Sequence, residues 1–187
     1  IETRFEDGVT DVIKRLVGAQ VNTFALNLSA GEPITGSFGF LSRKATFENS
    51  ELANAAYAPS NSEAVESAST VDNLIVGGLT LDCAPSLSLN INNNMQAENV
   101  LGTTEACAIV AGQLEITGQV SVFLSAAEYA LLTSFQNGTP IAMSFDVGKT
   151  AGKILQVSLP TVVVESVSVQ TSNAEGSVVA EMNYRAL

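Results

Sequence analysis

Few residues of this chain could do chemistry, and their spacing does not suit them to it. Val147-Gly148-Lys149-Thr150 carries the Gly-Lys-Thr end of a phosphate-binding loop. In such a loop the backbone amides cradle a nucleotide phosphate and the lysine reaches its terminal oxygens. The glycine that opens the loop would fall at Met143, a core-type residue, so the motif is broken. Lys149 and Lys153 are then expected as a solvated pair around a turn. Glu6, Asp7 and Asp11 cluster, but as turn and strand-end residues with no partner for acid–base work. The chain has 0 His. That removes the commonest general base, the Ser–His and Cys–His nucleophile pairs and most zinc ligand sets. No dinucleotide-binding glycine fingerprint, calcium-loop pattern or HExxH appears. Cys83 and Cys107 are the only cysteines and make no CxxC pair, so buried free thiols in a reducing compartment are expected. Asn27-Leu28-Ser29 and Asn137-Gly138-Thr139 fit the glycosylation acceptor pattern, which arises often by chance. The expectation is a protein with no catalytic, cofactor-binding or metal-binding residues.

The elements that would position any site are bounded by composition. The 187 residues suffice for one domain with a real core, expected over 1–187, and 46% of them are apolar. No apolar run approaches the roughly 20 residues that span a bilayer, so no membrane anchor is expected. Charged residues are 14%, against a usual ~25%. Nineteen acids and eight bases give a net charge of -11, which should repel nucleic acid rather than bind it. The chain opens without Met, on Ile1-Glu2-Thr3-Arg4-Phe5, already an alternating strand, so a longer natural product with an upstream segment is expected.

Period-2 alternation dominates the sequence. Ile1–Phe5 and Thr10–Leu16 flank a turn at Glu6-Asp7-Gly8, and Val21–Leu28 turns through Ala30-Gly31-Glu32-Pro33 into Ile34–Leu41. From Ser42 to Asn73 the alternation stops and Ala, Ser, Asn and Glu take over. This reads as a long inserted loop, either a surface loop or an arm that orders against a neighbour, with a possible helix over Glu51–Tyr57. Strands follow at Leu74–Leu81 and Ser86–Asn92, then a looser stretch over Met95–Ala106. Gln113–Val122 reads as the longest clean strand. Ser125-Ala126-Ala127-Glu128 is a capping box that opens a helix with an apolar stripe of Leu131, Leu132 and Phe135, closed by Asn137-Gly138. Ile141–Val147, Lys153–Leu159, Thr161–Gln170 and Ser177–Ala186 complete the strands, with Pro160 as a bend and Ser172–Gly176 as a turn. About ten strands and one helix make a mainly β sandwich or barrel with a flanking α-helix.

One face of the Gln113–Ser121 strand is aliphatic. The other is polar yet almost uncharged: Gln113, Glu115, Thr117, Gln119 and Ser121. Strands that face solvent use Lys and Glu freely to block edge pairing. Low surface charge therefore points to edges satisfied by further copies of the chain, as in a barrel closed over several subunits. A monomeric sandwich with a Ser/Thr-rich surface fits the same composition. A carbohydrate-binding module would show aromatic platforms, yet aromatics are 6% with 0 Trp.

Val17–Leu28 (VGAQVNTFALNL) followed by Gly31–Phe40 (GEPITGSFGF) resembles the central hairpin of the tail tube (major tail) proteins of long-tailed bacteriophages. Ser86–Asn93, Gln113–Val122, the helix to Asn137-Gly138, the strand before Leu159-Pro160 and the ending Asn183-Tyr184-Arg185-Ala186 resemble that family in the same order. The resemblance implies a sandwich with a flanking helix, self-assembled into six-membered rings stacked as a hollow tube in the virion tail. It implies that the genome and the tape-measure protein pass through the lumen, that tail-tip proteins are partners, and that the subunit is made in the host cytoplasm. DNA would pass without specific binding, since an acidic lumen repels phosphate. On this resemblance Thr35, Ser37, Glu115, Thr117, Gln119 and Ser121 are expected to face the lumen. Phe47, Leu52, Tyr57 and Val65 are expected on the arm that meets an adjacent subunit. Another self-assembling component, such as a tail-completion ring, capsid decoration protein or fibre subunit, fits the composition equally well.

Overall fold

A computed structural model of the chain describes residues 1–6, 11–50, 70–126, 128–149, 152–171 and 178–187. These residues form fourteen strands and one short helix, a mainly β fold of sandwich/barrel type with a curled sheet. They divide into two compact units.

The first unit gathers Ile1–Phe24, Phe38–Glu63 and Asn92–Leu114. Strands β1 (Glu2–Glu6) and β2 (Asp11–Val17) pair antiparallel, as the alternation requires, with Glu2 opposite Arg15 and Phe5 opposite Val12. β5 (Lys44–Glu48) pairs with the other side of β2. A strand therefore occupies part of the Ser42–Asn73 stretch read as loop, and β6 begins at Val71. The short Lys44-Ala45-Thr46-Phe47-Glu48 run alternates too briefly to stand out from its Ser- and Ala-rich surroundings. Residues 51–69, including the Glu51–Tyr57 helix candidate, lie outside the described residues, as does the Ser172–Gly176 turn. Arg15 sits on the buried face beside Ile13, where its guanidinium bonds Glu2 of β1 and Glu48 of β5 and donates to the Ser50 carbonyl at 2.6 Å. A buried guanidinium needs such partners for its donors. Their carboxylates raise its pKa above the ordinary value. The looser stretch holds a second hairpin, β9 (Gln96–Asn99) with β10 (Ala106–Val110).

The second unit gathers Ala25–Ser37, Ala64–Ile91 and Glu115–Leu187. It holds most of a nine-stranded sheet of order β4-β3-β8-β11-β14-β13-β12-β6-β7. These strands are β3 (Gln20–Ser29), β4 (Thr35–Leu41), β6 (Val71–Val76), β7 (Leu79–Thr80), β8 (Ser86–Asn92), β11 (Glu115–Phe123), β12 (Ile141–Val147), β13 (Leu155–Thr171) and β14 (Val178–Ala186). The expected Leu74–Leu81 strand is two arms around Gly77-Gly78, with Val76 opposite Leu79. Both glycines have positive φ, +61° and +81°, which is the backbone of a two-residue hairpin turn. The longest strand is β13, not the one after Gln113. It runs through Pro160, and the pairing with β12 shifts register between Ile141 and Met143, where the missing amide can be absorbed. Beyond Pro160, β13 pairs with β14, again with a bulge between Val164 and Ser166.

One face of this sheet is the core. Leu26, Leu28, Leu87, Leu89, Val120, Val122, Met182 and Tyr184 are buried in it. Gly118 is required there: a Cβ at this position would collide with the Ser88 carbonyl and the Tyr184 ring. Helix α1 (Tyr129–Gln136) contacts β13. Its capping box is half formed. The Glu128 carboxylate accepts from the Ser125 amide at 3.0 Å and from the Ser125 hydroxyl, while Glu128 itself holds the N-cap position. Of the expected stripe only Leu131 is buried, while Leu132 and Phe135 are half-buried. Gly138, at φ +62°, ends the helix with its amide on the Phe135 carbonyl.

Candidate functional site

The feature that needs a functional account is the second face of the nine-stranded sheet. Alternation along β11 turns Glu115, Thr117, Gln119 and Ser121 away from Val120 and Val122. Pairing with β14 sets Thr117 opposite Arg185, Gln119 opposite Asn183 and Ser121 opposite Glu181. Pairing of β14 with β13 sets Asn183 opposite Ser166 and Glu181 opposite Ser168. Neighbours on this face satisfy one another. Asn183 donates to the Ser166 hydroxyl at 2.9 Å, Gln170 to the Glu181 carboxylate at 3.4 Å, and Ser86 of β8 to the Ser121 hydroxyl at 2.9 Å. Arg185 reaches Glu115 at 3.1 Å and Glu165 at 3.0 Å. The resulting surface is one of amides and hydroxyls with few charges, and its one arginine is paired with two carboxylates.

Five of the six expected face residues are exposed or partly exposed. Thr35 and Ser37 of β4 are exposed, and Glu115, Thr117 and Gln119 are partly exposed. Alternation sets Thr35 and Ser37 opposite Phe38 and Phe40. Ser121 is different: it is only 4% exposed and bonded to Ser86, so it offers nothing to a lumen. Of the expected arm residues, Phe47 on β5 is 66% exposed. Leu52, Tyr57 and Val65 lie outside the described residues. The residues that complete the face, Asn183, Arg185 and Ser166, were not singled out from sequence. Their signal was present in the final strand, where Asn183 and Arg185 alternate with the buried Met182 and Tyr184.

A second surface lies at the sheet edge. β4 is an end strand and carries no charge and no proline, the devices that normally blunt an edge. The Phe24 and Phe38 rings are tilted with centroids 4.9 Å apart, and Phe38 and Phe40 stack at 6.3 Å. Phe38 remains 60% exposed and Phe40 44%. An unblunted strand edge beside exposed aromatic rings has the chemistry of an association surface.

The remaining candidates are a cleft, the two cysteines and a buried tyrosine. The apolar cleft lined by Leu28, Ala30, Leu74, Pro85 and Leu87 contains no ionisable side chain. Among the described residues no group of His, Cys, Asp and Glu could hold a metal ion. Cys83 and Cys107 are free but exposed, correcting the expectation of burial; Cys83 lies in the turn segment before β8 and Cys107 on an outward position of β10. Burial pushes the Tyr184 phenol above its ordinary pKa, which keeps it a proton donor, and it donates to the Ser88 carbonyl at 2.8 Å. It holds two strands of the core together. No described helix is long and apolar enough to cross a membrane.

The family model described as Phage tail tube protein matches residues 1–186. No curated protein sequence matches the chain.

Proposed function

Because the chain belongs to the phage tail tube protein family, a family of structural subunits of the virion tail, we propose that it builds the tube as stacked six-membered rings and that the bore conducts the genome on ejection. The observation that carries this reading is the two-sided sheet. One face is a weakly charged polar surface with its arginine paired to two carboxylates, and the end strand β4 is unblunted with Phe38 and Phe40 exposed. A surface whose one cation is already paired gives a sliding polyanion little to hold. A net charge of -11 adds repulsion of phosphate.

In this reading Thr35, Ser37, Glu115, Thr117 and Gln119 line the bore. The β4 edge and Phe47, with the segment that holds Leu52, Tyr57 and Val65, meet neighbouring subunits. Both compact units act as a single assembling domain. The tape-measure protein fills the bore before ejection and tail-tip proteins initiate polymerisation, while DNA passes without specific binding. Synthesis takes place in the host cytoplasm.

Negative-stain electron microscopy of the purified protein, with sizing across concentration and after addition of pre-formed tail tips, tests the reading. Hollow tubes or stacked rings are expected. Particles that stay monomeric at high concentration and also fail to add to tail tips would overturn it.

A further inference from the structure

We infer that Glu115 and Glu165 form a clamp whose role is to withhold Arg185 from phosphate, so that the polar sheet face stays non-adhesive to polyanions; this rests on the reading of that face as a lumen.

Arg185 is the only basic residue in the nine strands of the sheet. A guanidinium on a strand is the side chain best suited to grip a phosphate, with a planar fork of donors and a charge that never titrates away. Left free on this face it would be an adhesive point for any nucleic acid passing over it. Its position is fixed by three strands. Thr117 of β11 lies directly opposite on one side, so Glu115 is the diagonal neighbour and bonds Nη2 at 3.1 Å. On the other side Val163 of β13 lies opposite, a residue with nothing to offer a cation.

The fold supplies the second carboxylate by a local irregularity. The β13–β14 register runs Val164 opposite Tyr184 and then Ser166 opposite Asn183. Glu165 is therefore the extra residue of a β-bulge. Bulges re-aim side chains, and this one lets Glu165 bond Arg185 Nε at 3.0 Å while Ser166 still meets Asn183 at 2.9 Å. Two carboxylates on one guanidinium leave the trio with one net negative charge. All three side chains remain between 42% and 47% exposed, so the clamp is accessible to a polymer and presents it with carboxylate rather than guanidinium.

The clamp is tested with the whole protein and a fluorescein-labelled DNA duplex, followed by anisotropy over a salt series. The wild type is expected to bind only weakly, and measurably only at low salt. E115Q/E165Q is expected to gain affinity on the order of tenfold over wild type at low salt, with the log–log salt dependence steepened by about 0.9, the signature of one phosphate contact. Adding R185A is expected to abolish the gain. The control E32Q/E98Q changes net charge equally at two exposed glutamates outside the clamp. No gain in E115Q/E165Q, a gain matched by the control, or a gain that survives R185A would each overturn the inference. Should E115Q/E165Q fail to fold, E165Q alone is read against the same criteria. Tube formation by the same variants, seen by electron microscopy, reports on the lumen reading separately: binding that follows the clamp pattern in a protein that never polymerises would sink the reading and spare the clamp.

Discussion

Tyr184 binds β14 to β8 through a single hydroxyl, and its burial makes that bond pH-sensitive in one direction only. The folded phenol keeps its proton where an unfolded tyrosine, with a pKa near 10.0, loses it. The folded state therefore holds more protons above that value, and stability falls as pH rises through it. Y184F is expected to lower stability near neutrality by about 1 kcal/mol, the net worth of one hydrogen bond. It should also flatten the alkaline fall, which urea midpoints measured at neutral and alkaline pH would show. The partner position is Gly118. Glycine inside a strand ordinarily weakens it, but here its missing Cβ admits the Tyr184 ring and the Ser88 carbonyl. G118A is expected to cost roughly 1–3 kcal/mol by overpacking, and an unchanged thermal midpoint would refute that account. Neither contact was legible beforehand. Gly118 interrupts the alternation of Gln113–Val122 without any sign of what it accommodates, because its partners lie on strands distant in sequence.

Elements were legible where their period was long and clean. Ser86–Asn92 and Ile141–Val147 match β8 and β12 residue for residue, since alternating Leu or Phe with small polar residues has no helical reading. Errors arose where punctuation was misread. Gly77-Gly78 lies inside an apolar run that alternation extends as a single strand, whereas two adjacent glycines of positive φ make a hairpin. Pro160 was read as a boundary, yet β13 continues through it by shifting register against β12. β5, β9 and β10 are short, and nothing in their composition separates them from loops. The three-stranded sheet shows what tertiary context adds. Arg15 of its central strand bonds a glutamate on each outer strand, so one side chain fastens all three. R15A is expected to speed amide hydrogen exchange in β1 and β5 while leaving β11, β13 and β14 protected. Equal acceleration throughout would mean that the two units unfold as one.

For the whole molecule, the decisive property is which surfaces it leaves unfinished. Phe38 is 60% exposed and Phe40 44%, so F38S/F40S removes only part of two rings from the packing and is expected to lower the monomer's unfolding midpoint without unfolding it. It should nevertheless abolish polymerisation, which light scattering and microscopy would detect; tubes formed normally by this variant would remove the β4 edge from the interface. The sequence foreshadowed this much through its sparse charge and uncharged strand faces. It could not foreshadow which edge stays open, because strand order in a sheet is set by pairings between distant segments. The same order has a bearing on biosynthesis. β14 lies fifth among the nine strands, yet it follows all the others along the chain. Until it leaves the ribosome, β11 and β13 have no common partner and the sheet exists as two separate halves. Nascent chains arrested before Val178 are expected to be cut readily by protease, while those in which β14 has fully emerged resist it.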